Sequence, residues 1–87
     1  MNQSFSRMPE EREEMRMAVS ALLSPSNRYL SRNQLDTEIS GSPERYPGLC
    51  RFSPRFRRTF ITRYMRGRYQ ARDTSRKDCF VWIVEVP

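Results

Sequence analysis

The chain has 87 residues, 16 basic against 10 acidic side chains, no histidine, two cysteines and 37% apolar content. Single domains commonly run to roughly 100–150 residues, so two domains will not fit, and one small basic domain with a modest core is expected. The longest apolar run, Cys79 to Val84, falls far short of the ~18 residues that a membrane-spanning helix requires. Charges in MNQSFSRMPEEREEMRM interrupt the apolar stretch that a signal peptide needs, so a cytoplasmic location with reduced thiols is the expectation.

Residues 1–8 are polar and uncapped, which predicts a flexible N-terminal arm ahead of a single compact basic domain over 9–87. Pro9 suits the first position of a helix, and Glu10, Glu11, Glu13 and Glu14 complement the positive end of its dipole. Met15, Ala18, Val19, Leu22 and Leu23 recur at three and four, marking one apolar face of a helix over about 9–23 that Ser24-Pro25 ends. Ser31 and Gln34 form a capping box, and Leu30 and Leu35 occupy the positions of a hydrophobic staple around the same cap. Together they predict a short helix over about 32–40 that buries Leu35 and Ile39 and stops at Gly41. Residues 41–48 read as a loop, broken by Pro47-Gly48, in which Ser42 caps at most one turn.

Ser53 as cap and Pro54 as first residue open a third helix that runs to about Arg66, with Gly67 ending it. At about 100° per residue, Phe56, Phe60, Ile61, Tyr64 and Met65 fill one arc of this helix. Arg55, Arg58, Thr59, Thr62, Arg63 and Arg66 fill the other, and Arg57 alone falls among the apolar positions, where it is expected to snorkel. Residues 68–72 and 79–86 then flank the polar run Asp73 to Asp78, the pattern of a β-hairpin. Its last strand is apolar on both sides, with Phe80, Trp82, Val84 and Val86 alternating against Val81 and Ile83, and Trp82 reads as a core anchor. The fold class expected is therefore α+β: three helices followed by a C-terminal hairpin.

Charge is divided between the two halves of the chain. Residues 1–44 carry five arginines against seven acids, and residues 45–87 carry eleven basic residues against three acids. Residues 51–72 hold eight arginines and no acid, interleaved with five aromatic residues. Such a segment repels itself, and an anionic partner with repeated charges relieves the repulsion with release of counterions. Fifteen of the sixteen basic residues are arginine, whose planar fork matches phosphate and the guanine edge in a way that a lysine ammonium does not.

Catalysis finds little support in this composition. Cys50 and Cys79 cannot supply the four ligands of a structural zinc site, and the imidazole required by Cys-His or Ser-His-Asp chemistry is absent. Neither an enzymatic activity nor a metal or cofactor is expected, and both cysteines read as small core residues.

The order helix, short helix, basic amphipathic helix and hairpin with a basic tip resembles the winged helix-turn-helix DNA-binding domains over about residues 9–86. That resemblance implies that the helix at 54–66 is the recognition helix, with Arg55, Arg58, Thr59, Thr62 and Arg63 facing the major groove. It makes the 73–78 turn the wing, with Arg76 and Lys77 beside phosphates, while Arg66, Arg68 and Arg72 add affinity. One departure stands out: about a dozen residues separate Ser40 from Ser53, whereas a tight helix-turn-helix uses 3–4. The leading expectation is a transcriptional regulator of phage or plasmid type that binds duplex DNA, with a homodimer compatible with its small core. Two other readings use the same residues. One is an inhibitor or adaptor whose basic face grips an acidic protein and whose last strand joins a partner's sheet. The other is an RNA-binding protein that stacks unpaired bases on Tyr46, Phe52 or Tyr69.

Overall fold

In a computed structural model, residues 8–68 and 80–84 are described, and they form an α+β fold of four helices and a two-stranded antiparallel sheet. Helix α1 (Pro9–Leu22) starts at a proline, carries Glu10 and Glu11 in its first turn and buries Met15, Ala18 and Val19. Leu23 leaves it in extended backbone, with its N–H on the Val19 carbonyl. Reciprocal hydrogen bonds between Ser24 and Asn27, at 3.1 and 3.0 Å, close a turn at Pro25. The reversal delivers the chain to a strand that sequence pattern did not reveal, β1 (Tyr29–Ser31).

Helix α2 (Arg32–Ser40) follows without a loop, because Ser31 ends the strand and caps the helix at once. Its Oγ accepts from the Gln34 N–H at 3.0 Å and its own N–H donates to Gln34 Oε1 at 2.9 Å, completing the expected capping box. The staple residues Leu30 and Leu35 are both fully buried. Gly41 sits at the C-cap with φ −82°, right-handed helical backbone, so its freedom to adopt positive φ is not what stops the helix.

The segment expected to be a loop contains a further helical turn, α3 (Pro47–Cys50). A four-residue helix has few bonds of its own, and the Tyr46 side chain gives its start no cap. Glu14 of α1 supplies what is missing: its two carboxylate oxygens accept from the N–H groups of Gly48 at 3.0 Å and Leu49 at 2.9 Å. The carboxylate comes so close that a Cβ at Gly48 would lie 2.9 Å from Glu11 Oε2 and 3.1 Å from Glu14 Oε2. Tyr46, 1% exposed, donates its hydroxyl to Glu38 Oε2 at 3.0 Å and ties the same turn to α2. Burial, reinforced by Glu38, raises the Tyr46 pKa above its ordinary value.

Helix α4 (Pro54–Arg68) begins as expected, with Ser53 Oγ accepting from the Phe56 N–H at 3.2 Å. It continues through Gly67, which stands exposed with open space around it and without positive φ. An exposed glycine weakens a helix by about 1 kcal/mol but does not stop one, and Arg66 and Arg68 in the last turn favour the dipole. Arg68 is thus helical rather than the first residue of a hairpin strand, and the rest of the expected hairpin, 69–79, lies outside the described residues. So do the proposed N-terminal arm up to residue 7 and the end of the last strand at 85–87.

The last strand is present as β2 (Val81–Ile83), and it pairs with β1 with Tyr29 opposite Ile83, Leu30 opposite Trp82 and Ser31 opposite Val81. The sequence expectation paired it with 68–72. Bonds from Arg32 N–H to the Phe80 carbonyl at 2.8 Å and from Val84 N–H to the Arg28 carbonyl at 2.9 Å extend the ladder at both ends. Leu30 and Trp82 turn the inner side of the sheet into one core with Ile39, Leu49, Phe60 and Met65, and Trp82 is the anchor expected of it. Cys50 sits at the edge of this core, its thiol donating to the Ile39 carbonyl at 3.1 Å and held above its ordinary pKa by burial.

Two measurements test this description. Glu14→Ala leaves two helix N–H groups without a partner, so urea denaturation followed by circular dichroism should show a loss of about 2 kcal/mol. A phenol whose folded pKa is raised stabilises the fold below its unfolded pKa, about 10, and that contribution disappears as pH rises through the folded value. Wild type should therefore lose more stability between pH 8 and pH ~11 than Tyr46→Phe, which lacks the titrating group.

Candidate nucleic-acid interface

Helix α4 offers two faces, and its rotation is fixed by what the inner face buries. Phe60, Ile61 and Met65 are at most 1% exposed and enter the core, while Phe52 packs edge-on to Phe56 at 4.7 Å and beside Phe60 at 5.5 Å. Arg57 also lies on this inner face. It does not snorkel: its Nε meets Asp36 Oδ1 of α2 at 2.5 Å, with only 9% of the arginine side chain and 20% of the aspartate exposed. A buried cation without a partner costs several kcal/mol, so the pair holds α2 and α4 in one register.

The outer face carries the residues expected to contact nucleic acid, with one exception. Arg55, Thr59, Arg63, Arg66 and Arg68 are exposed and Arg58 is half-buried. Thr62 lies in the middle of the same arc yet is buried, so it cannot face a groove. Its Oγ1 donates to the Arg58 carbonyl at 3.0 Å and accepts from Arg32 Nη1 at 3.3 Å. Thr59 likewise donates to the Arg55 carbonyl, at 3.1 Å, which leaves its oxygen as an acceptor. Arg72, Arg76 and Lys77 lie outside the described residues.

Among the described residues, Arg55, Arg58, Arg66 and Arg68 have no carboxylate within 4 Å; the ion pairs there are Arg16 with Glu13, Arg45 with Glu38 and Arg57 with Asp36. These four arginines therefore stand without an ion pair among the described residues. Arg32, which no sequence pattern singled out, joins this face from the start of α2. Its guanidinium carbon lies 3.7 Å from the Phe80 ring centroid, and that of Arg66 lies 5.6 Å from the same ring. The one local hint is that Arg32 and Asp36 are four residues apart, on one side of α2.

Among the described residues, Tyr46 and Phe52 do not offer a stacking platform of the kind suggested for RNA. Tyr46 is buried and bonded to Glu38, Phe52 is half-buried in its own aromatic cluster, and Tyr69 is not among the described residues. No three His, Cys, Asp or Glu side chains among the described residues converge to hold a metal ion, and no described helix is long and apolar enough to cross a membrane. Comparison of the chain with protein-family models, curated proteins and solved structures finds no match.

If the Arg57–Asp36 pair sets the rotation of α4, removing one partner should cost far more than removing a surface pair. Asp36→Asn should lower the unfolding free energy by about 3–5 kcal/mol in urea titrations, whereas Glu13→Gln should leave it nearly unchanged. The double variant Asp36→Leu with Arg57→Met should recover most of the loss, because no buried charge is then left unpaired.

Proposed function

We propose that the protein is a small, non-catalytic DNA-binding protein, a transcriptional regulator of phage or plasmid type, that lays the outer face of α4 into the major groove. The observation that carries this reading is the row Arg55, Arg58 and Arg66 on α4, uncompensated by any carboxylate within 4 Å among the described residues. A helix about 10–12 Å across fits the major groove, and a face of arginines gives both phosphate affinity and guanine readout. An inner face locked by Arg57 and the core keeps such a helix from rolling as it docks.

Two features of the fold support a winged arrangement. Helix α2 packs against α4 as the first helix of a helix-turn-helix must. The long link between them is occupied by α3, which Glu14 anchors to α1, so the link is a folded insertion. The β1–β2 pairing ties Phe80 to the body, which would give a wing over 73–78, with Arg76 and Lys77 at its tip, a fixed base. The two chains of a homodimer would present two such helices to successive turns of the duplex.

Fluorescence anisotropy with duplexes selected from a random pool tests the reading. The protein should bind with a steep inverse dependence on salt, losing on the order of a thousandfold in affinity between 50 and 200 mM if six or more phosphates are engaged. Arg58→Ala should cost about 1–3 kcal/mol and relax preference at one base pair, whereas Lys77→Ala should weaken all sequences alike and lower the salt slope by about 1. No duplex binding at 50 mM salt, or tighter binding to single-stranded RNA, would overturn it.

A further inference from the structure

We propose that Arg32, Arg58 and Arg66 form a seat for one phosphate group at the junction of α2 and α4, with the Phe80 ring as its floor and Thr62 holding Arg32 in place. The inference rests on the nucleic-acid reading of α4 and deepens it, since the seat draws on a residue outside that helix. Pairing of β1 with β2 brings Arg32 N–H to the Phe80 carbonyl at 2.8 Å, which places the side chain on the ring. There the guanidinium lies 3.7 Å from the ring centroid, and Nη1 reaches Thr62 Oγ1 at 3.3 Å. Arg58 and Arg66 flank Thr62 at one turn on either side of it along α4. Arg32 and Arg66 thus share the Phe80 ring, and Arg58 stands one turn from Thr62 on the same helix.

No ion pair to Arg32, Arg58 or Arg66 forms within the described residues. The nearby Asp36 is committed to Arg57. Arg32 Nε is buried without an acceptor. Burial first, then Arg58 and Arg66, depress the Arg32 pKa, with Asp36 opposing them. The stack on Phe80 and the bond to Thr62 hold the group where its neighbours repel it. A phosphate between the three side chains removes the repulsion and accepts their free N–H groups, and arginine's planar fork suits that role. A phosphate in the seat therefore relieves a repulsion that the free protein carries.

Arg32→Met removes that repulsion, since methionine covers the Phe80 ring without charge. Its thermal midpoint should equal or exceed that of wild type, whereas an arginine present only for structure would leave a less stable variant. The first probe is inorganic phosphate replacing chloride at constant ionic strength. In wild type it should shift the Arg32 and Arg58 side-chain N–H resonances saturably, and Arg32→Met should weaken that response about tenfold. The second probe is a duplex of about 20 base pairs, for which Arg32→Met should lower affinity about tenfold and the salt slope by about 1. A wild-type titration in which phosphate leaves Arg32 unmoved overturns the seat, as does a variant with unchanged duplex affinity and slope; the nucleic-acid reading survives both. A phosphate response that depends on Arg32, with no duplex bound by wild type, supports the seat for free phosphate and overturns the nucleic-acid reading.

Discussion

The ion pair between Arg57 and Asp36 is the constraint on which the arrangement of the helices depends. Apolar positions of α4 fix its inner face only broadly, because a stripe of Phe60, Ile61 and Met65 tolerates some rotation about the helix axis. An arginine set among them at 9% side-chain exposure does not. Among the described residues its charge pairs with one carboxylate, Asp36 on α2, and any rotation that breaks the contact leaves a buried cation unpaired. Arg32, one turn before Asp36 on α2, makes a second polar contact with α4 at Thr62.

Four acids of the first half of the chain explain why Arg55, Arg58, Arg66 and Arg68 meet no carboxylate among the described residues. Folding could have laid them over the arginines of the second half, cancelling most of the charge. They serve other partners: Glu13 pairs with Arg16 on its own helix, Glu14 caps α3, Asp36 meets Arg57, and Glu38 accepts from Tyr46. Three of those four interactions hold one element to another. Four carboxylates that could have covered those arginines are used as internal fasteners instead.

What could be read from the sequence is what lies within one turn of a residue. The capping box at Ser31, the proline starts of α1 and α4 and the apolar stripes need only neighbours three or four positions away. The features that escaped such reading have partners far along the chain. Strand β1 is three residues long and exists because β2, some fifty positions later, pairs with it. Helix α3 reads as a Pro-Gly break until Glu14, 34 residues earlier, satisfies its N–H groups. Thr62 belongs to the outer arc by angle, yet Arg32, 30 residues away, bonds its hydroxyl and leaves it buried. Arg57 looked like a snorkelling residue because nothing local names Asp36 as its partner.

The small sheet has a consequence for the basic face. Two strands of three residues contribute little stability alone, but their register decides where Arg32 and Phe80 lie. Leu30 and Trp82 face inward as a pair, and two residues further on, Arg32 at the start of α2 and Phe80 just before β2 meet through a backbone bond at the sheet's end. Slipping the register by one residue would turn Trp82 out of the core, a cost of several kcal/mol for so large a side chain. Core packing at Trp82 thus holds Arg32 against α4.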